Sequence, residues 1–131
     1  MTDSSYDGTP LSVLSIDDDA AFQKQVSLLL AAYDIALLPS VSSLEDGLRF
    51  VASDKPDVVL MDIWVNGENQ VGRIGAIKRA SPDSQVIVVS LHPEEEYRRA
   101  ALAEGAFDYV SKAQAGEELA QSVLRACGRS T

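Results

Sequence analysis

The chain is expected to fold as one α/β domain built on a doubly wound, five-stranded parallel sheet. Three observations predict it. Five short strand-like runs recur along the chain, the stretches between them carry a helical apolar period, and the connections are short. The runs are Leu11–Ile16, Ile35–Leu38, Val58–Met61, Gln85–Ser90 and Phe107–Val110. Several are almost continuously apolar or β-branched, as suits parallel strands covered on both faces. Residues 1–10 are polar and include Gly8 and Pro10, which reads as a loose leader. After the first run, Phe22, Val26, Leu29 and Leu30 share a helix face, as Leu44, Leu48 and Val51 do after the second. Ser42-Ser43-Leu44-Glu45 has the form of a capping box and sets a helix start. The helix near Val71, Ile74 and Ile77 is weakened by Gly72 and Gly75, each costing about 1 kcal/mol relative to Ala. Pro93 before Glu94, Glu95 and Glu96 suits a positive helix N-terminus, and Gly105 suits that helix's end. Leu119, Val123 and Leu124 stripe a last helix, and Cys127 reads as a helix-face residue. The domain is placed at residues 11–127, with 128–131 as a tail.

Composition narrows the function classes. A chain of 131 residues that is 46% hydrophobic supplies one core. The formal charge of −9 opposes phosphate backbones and anionic lipid, so neither nucleic acid nor a membrane is an expected direct partner. No apolar run approaches the roughly 20 residues of a bilayer span, and the start lacks a secretory pattern. A single cysteine excludes an internal disulfide and fits a reducing cytoplasm.

Sites in open parallel sheets form beyond the C-terminal ends of the strands. Here the first strand ends in Asp17-Asp18-Asp19, the third in Asp62 and the fourth in Ser90, while Lys112 follows the fifth. The second ends in Pro39-Ser40, with nothing ionisable. Carboxylates of Asp17, Asp18 and Asp62 on one rim repel unless a cation or proton joins them. An all-oxygen set suits Mg²⁺ better than Zn²⁺, and one histidine, His92, cannot build a zinc site. A positive Lys112 and a Ser90 hydroxyl would then hold phosphate oxygens, with one carboxylate as nucleophile for an acyl phosphate. Singly, each residue has a plain explanation: a helix cap, a turn aspartate, a loop serine, a solvated lysine. Their joint position on one rim favours a site for attaching phosphate to aspartate.

These residues resemble the receiver domain of bacterial two-component response regulators. The stretch Val13-Leu14-Ser15-Ile16-Asp17-Asp18-Asp19 is similar to the family's first strand and acidic pair. Val58-Val59-Leu60-Met61-Asp62-Ile63 is similar to its phosphoacceptor strand, and Val86–Ser90 to its fourth strand with the hydroxyl residue. The most specific stretch is Ala103–Lys112, with its Gly-Ala turn, Tyr109 and lysine. The intervals between Asp62, Ser90 and Lys112 resemble those of receivers that precede helix-turn-helix output domains.

The resemblance implies a flavodoxin-like strand order 2-1-3-4-5 and specific roles. Asp62 would be the phosphoacceptor, and Asp17, Asp18, Asp62 and the Trp64 carbonyl would hold Mg²⁺. Ser90 and Lys112 would bind the phosphoryl group, and Ser90 and Tyr109 would form the switch that alters the surface of the fourth helix, fifth strand and fifth helix. The implied donor is a histidine kinase or histidine phosphotransfer protein, and the output partner is unknown. Homodimerisation on phosphorylation is left open, as is a stand-alone receiver against the front of a longer regulator. Such a domain is catalytic only toward its own phosphorylation and dephosphorylation. Trp64 and His92 would flank the path of the hydrolytic water, although His92 reads more simply as a plain loop residue. The chain departs from the family where Val65-Asn66 replaces Met-Pro, and Asn66-Gly67 is a turn dipeptide that can preserve the bend. Gln70 stands near a common glycine position, and Ala113 stands where many relatives carry proline. The alternatives are a phosphorylation-independent pseudo-receiver acting as an interaction module, and a metal-dependent phosphatase, which would need a second acid/base near Asp62. A nucleotide-binding domain lacks its glycine-rich motifs.

Overall fold

The computed structural model describes residues 11–92 and 94–128. The expected leader at 1–10, Pro93 and the tail at 129–131 lie outside the described residues. The sheet contains β1 (Ser12–Ile16), β2 (Ala36–Leu37), β3 (Val58–Met61), β4 (Gln85–Ser90) and β5 (Asp108–Ser111). All its pairings are parallel, in the order β2-β1-β3-β4-β5, as the resemblance implied. Three strands begin one residue later than the expected runs, β1 at Ser12, β2 at Ala36 and β5 at Asp108, while β2 ends one residue earlier, at Leu37, and β5 one later, at Ser111. The helices are α1 (Ala20–Ala31), α2 (Leu44–Asp54), α3 (Ile74–Ala80), α4 (Glu95–Ala103) and α5 (Gly116–Ala126).

Alternation along the strands divides the core into two layers. Leu14, Ile16, Val59, Met61, Val86, Val88 and Tyr109 pack toward Leu44 and Val51 of α2, Ile74 and Ile77 of α3, and Ala101 of α4. The intervening Val13, Val58, Leu60, Ile87, Val89 and Val110 pack toward Phe22, Val26 and Leu30 of α1 and Leu119 and Val123 of α5. Both faces being covered explains why the strands read as continuous apolar runs.

Helix ends follow local chemistry. The Asp19 carboxylate accepts from Phe22 N at 3.1 Å and caps α1. For α2 the cap lies one position beyond the expected box start: Ser43 is the extended residue, and its hydroxyl accepts from Asp46 N at 3.2 Å. The segment before α3 is a 3₁₀ turn, Val71–Arg73, and α3 itself spans seven residues, in keeping with two glycines of poor helix propensity. Glu95 and Glu96 fill the first turn of α4, and Gly105, at φ +110°, ends it. Cys127 caps the end of α5 rather than lying on its face. No helix of the described residues is long and apolar enough to cross a membrane.

Gly47 brings α2 against the strand that leads into Asp17. A Cβ there would meet Ile16 Cδ1 at 2.5 Å and Cγ1 at 3.0 Å, and Ile16 is fully buried. Gly47→Val should therefore lower stability to urea by about 1–3 kcal/mol. A midpoint equal to wild type would show that Ile16 yields without cost.

Candidate functional site

The register of the sheet builds one rim from four strands. Ile16, Met61, Val88 and Tyr109 form a row across β1, β3, β4 and β5. One residue past this row lie Asp17 and Asp62; Ser90 pairs with Ser111, and Lys112 comes next. β2, at the edge, contributes the backbone of Val41, which bridges Ile16 through the following loop and brings no ionisable group.

Lys112 lies at the centre of this rim with its side chain 5% exposed. Its Nζ is 2.8 Å from Asp17 Oδ2, 3.1 Å from Asp62 Oδ2 and 3.9 Å from Asp19 Oδ2. The same ammonium sits 4.6 Å from the centroid of the Phe22 ring. Burial pulls the Lys112 pKa down, but bonds to Asp17 and Asp62 and their charges outweigh it, leaving the ammonium above the ordinary lysine value. Burial pushes the Asp17 carboxyl up, against the lowering effects of Lys112 and of the Asp19 N–H. Asp17 Oδ1 accepts from that N–H at 2.9 Å, and Gln23 Nε2 donates to the Asp17 carbonyl at 2.9 Å.

The remaining carboxylates are held by backbone amides. Asp62 Oδ1 accepts from Trp64 N at 2.9 Å, and Asp18 Oδ2 accepts from Asn66 N at 2.8 Å. One oxygen each from Asp17, Asp18 and Asp62 lies within 4.8 Å of the others, with Asp18 exposed and the other two buried. Three clustered carboxylates, two of them paired with one ammonium, leave net negative charge, and the donors are hard oxygens. That donor set fits a divalent cation such as Mg²⁺, not a soft metal.

Ser90 is fully buried at the end of β4, where its hydroxyl oxygen accepts from His92 N at 3.0 Å. The Tyr109 ring lies inside, 2% exposed, and its hydroxyl donates to the His92 carbonyl. Burial raises the Tyr109 pKa, keeping the phenol neutral. Arg98 donates to the Tyr109 carbonyl at 3.0 Å, with its guanidinium 5.6 Å from the ring centroid. His92, expected as a plain loop residue, instead packs between Trp64 and Tyr97, with ring centroids 5.3 Å from each. Trp64 also meets Tyr97 edge-on at 6.4 Å. All seven sequence-predicted site residues thus lie at this end of the sheet, in two groups. Asp17, Asp18, Asp62 and Lys112 converge with the Trp64 backbone, whereas Ser90 and Tyr109 meet at the His92 backbone.

Several contacts were not foreseen. The segment after Asp62 is not merely bent: Trp64–Val65 pairs antiparallel with Glu68–Asn69. Asn66 at φ +54° and Gly67 at φ +80° form the turn, the two positive φ angles of a type I′ hairpin. The Asn-Gly dipeptide carried that signal. Phe22, Gln23, Tyr97 and Arg98 reach the rim only through tertiary packing, and no spacing in the chain announces them.

Residues 13–124 match the family described as response regulator receiver domain. The chain is 28% identical over 114 residues to the response regulator GacA of Pseudomonas aeruginosa, covering 86% of this chain and 53% of that protein. It is 29% identical over 118 residues to the nitrate/nitrite response regulator protein NarL of Escherichia coli K12, covering 89% and 55%. The chain thus spans about half the length of the curated relatives it matches. A crystal structure of a response regulator from Burkholderia pseudomallei with a phosphorylated aspartic acid, calcium ion and citrate shares the fold. Its TM-score is 0.80 at 17% identity, covering 90% of this chain and 69% of that one. From the family match over residues 13–124, joined to a parallel sheet of this order, the chain belongs to the receiver domains of two-component response regulators.

Proposed function

We propose that this chain is a phosphorylation-competent receiver, over residues 11–127, in which Asp62 accepts a phosphoryl group. The observation that carries the reading is the cluster of Asp17, Asp18 and Asp62 at the strand ends, with Lys112 bonded to Asp17 and Asp62. Asp62 is the nucleophile. Its carboxylate oxygen forms a bond to phosphorus as the bond from phosphorus to the donor's imidazole nitrogen breaks, and that nitrogen keeps the electron pair. Lys112 offsets charge on a phosphoryl oxygen, and the Ser90 hydroxyl, whose proton is not used in its bond from His92, donates to another. Asp17, Asp18, Asp62 and the Trp64 carbonyl would hold Mg²⁺, which when bound supplies charge neutralisation for transfer. The phosphorylated aspartate in the Burkholderia pseudomallei relative agrees with this assignment. The donor is a histidine kinase or histidine phosphotransfer protein.

The switch runs through Ser90 and Tyr109. Drawing the Ser90 hydroxyl toward phosphate pulls on His92, whose N–H bonds Ser90 and whose carbonyl holds the Tyr109 hydroxyl. That local charge event biases the α4-β5-α5 surface toward an output partner or a second copy of the chain. The domain promotes only its own phosphorylation and dephosphorylation, in a cytoplasmic setting.

Three outcomes follow. With Mg²⁺ and acetyl phosphate, intact-mass spectrometry should show one added phosphate on the wild type and none on Asp62→Asn; equal labelling of both would remove Asp62 from its role. Mg²⁺ at a hundredfold excess over its Kd should raise stability by about 2.7 kcal/mol, and Asp17→Asn should abolish the gain. An undiminished gain in that variant would move the cation elsewhere. Trp64 shields Asp62 from attacking water in this reading, so Trp64→Asn should speed loss of the phosphate, followed as inorganic phosphate release. An unchanged rate would assign the indole a packing role alone.

A further inference from the structure

We propose that the hairpin formed by Trp64–Val65 and Glu68–Asn69 positions the acidic pocket, its type I′ turn setting the pocket's affinity for a divalent cation. The inference rests on reading Asp17, Asp18 and Asp62 as a cation site, and it assigns work to a segment which that reading leaves as a connection.

Two amides of this hairpin, two positions apart, each bind a different carboxylate of the pocket. Trp64 N donates to Asp62 Oδ1 at 2.9 Å, and Asn66 N donates to Asp18 Oδ2 at 2.8 Å across 48 positions of sequence. Successive N–H groups along a strand point to opposite edges, so residues 64 and 66 face the pocket together. The N–H and carbonyl of one extended residue leave on the same edge, which also turns the Trp64 carbonyl toward the pocket. One short strand edge therefore presents two donors and an acceptor to the cluster. The arrangement requires positive φ at both Asn66 and Gly67, since a turn of the other hand would splay the strands.

The hairpin is itself anchored at its base and along one side. Gln70 N donates to the Ile63 carbonyl at 2.5 Å, and the Asn69 side chain accepts from Val71 N at 2.9 Å. Val65 is buried in the core, and the Trp64 ring lies against His92 and Tyr97. Asp18, in contrast, is exposed. Without the Asn66 amide its carboxylate would sample several rotamers, and a cation would have to order it on binding. Hydrogen bonds that orient a ligating carboxylate are commonly worth 10–100-fold in metal affinity.

Isothermal calorimetry with MgCl₂, in the absence of any phosphodonor, tests this directly. Gly67→Val places a β-branched residue at φ +80°, where nothing lies within 4 Å of its Cβ, so the fold is retained while the turn is strained. Its Kd for Mg²⁺ should rise about tenfold or more. Asn66→Gly keeps both the positive φ and the N–H, and its Kd should stay within about twofold of wild type. Amide hydrogen exchange on the wild type gives a variant-free check: Trp64 and Asn66 N–H groups should stay protected or become more so with Mg²⁺. A Kd in Gly67→Val that is unchanged or tighter overturns the proposal, as does loss of protection at Asn66 on adding Mg²⁺. An equal loss of affinity in Asn66→Gly would overturn it too, by assigning the effect to the side chain. If the wild type takes up no Mg²⁺, the cation site and the proposal fall together, whereas binding indifferent to the turn removes the proposal alone.

Discussion

The buried ion pairs of Lys112 are the constraint on which the rest of the site depends. A lysine with its side chain 5% exposed loses most of its hydration, and an unpaired ammonium there would be costly. It is retained because Asp17 Oδ2 at 2.8 Å and Asp62 Oδ2 at 3.1 Å compensate the charge. Those partners come from β1 and β3, while the lysine follows β5, so one ammonium ties strand ends that sit apart in the sheet. Buried pairs of this kind contribute little net stability compared with an apolar replacement. Their consequence is geometric: the carboxylates cannot drift apart while the lysine is between them, and Phe22 beneath limits where its Nζ can sit.

The same geometry leaves the cluster electrically incomplete. Asp17 is pushed toward protonation by burial even with the lysine beside it, and Asp18 brings a further carboxylate within reach. A group that added positive charge would relieve this repulsion; one that added phosphate would compete with Asp62 for Lys112. Both effects would act on the same ammonium. Ser90, the His92 backbone and Tyr109 form one chain of hydrogen bonds leading from the rim into the layer beneath α4. Arg98 holds the far end of that chain at the Tyr109 carbonyl while lying within ion-pair range of Asp108 at 3.8 Å.

Much of this was legible in the sequence, because it follows from local rules. Apolar runs such as Val58–Met61 reveal buried parallel strands, and the strand ends of such a sheet place Asp17, Asp62, Ser90 and Lys112 on one rim. What was illegible depends on tertiary placement. His92 reads as a loop residue until Trp64 and Tyr97 are brought to 5.3 Å on either side of it. Ser42 and Ser43 are equivalent as text, and only the backbone conformation shows that Ser43 is the cap. Phe22 reads as one more apolar position of α1, and nothing in its spacing says that an ammonium will rest on its ring.

The segment after Asp62 lies between these cases, and the physics there runs deeper than a preserved bend. A proline would remove an N–H, whereas Val65-Asn66-Gly67 keeps all of them and lets the chain close as a hairpin. The Asn66 N–H then finds the Asp18 carboxylate, beside the Trp64 N–H on Asp62. A bend made by proline fixes direction alone; a bend made by a type I′ turn fixes direction and supplies donors along an edge. Trp64 carries its N–H to Asp62 and its ring to His92, whose own N–H and carbonyl bond Ser90 and Tyr109. One tryptophan thus touches both the acidic pocket and the hydrogen-bond chain of Ser90, His92 and Tyr109.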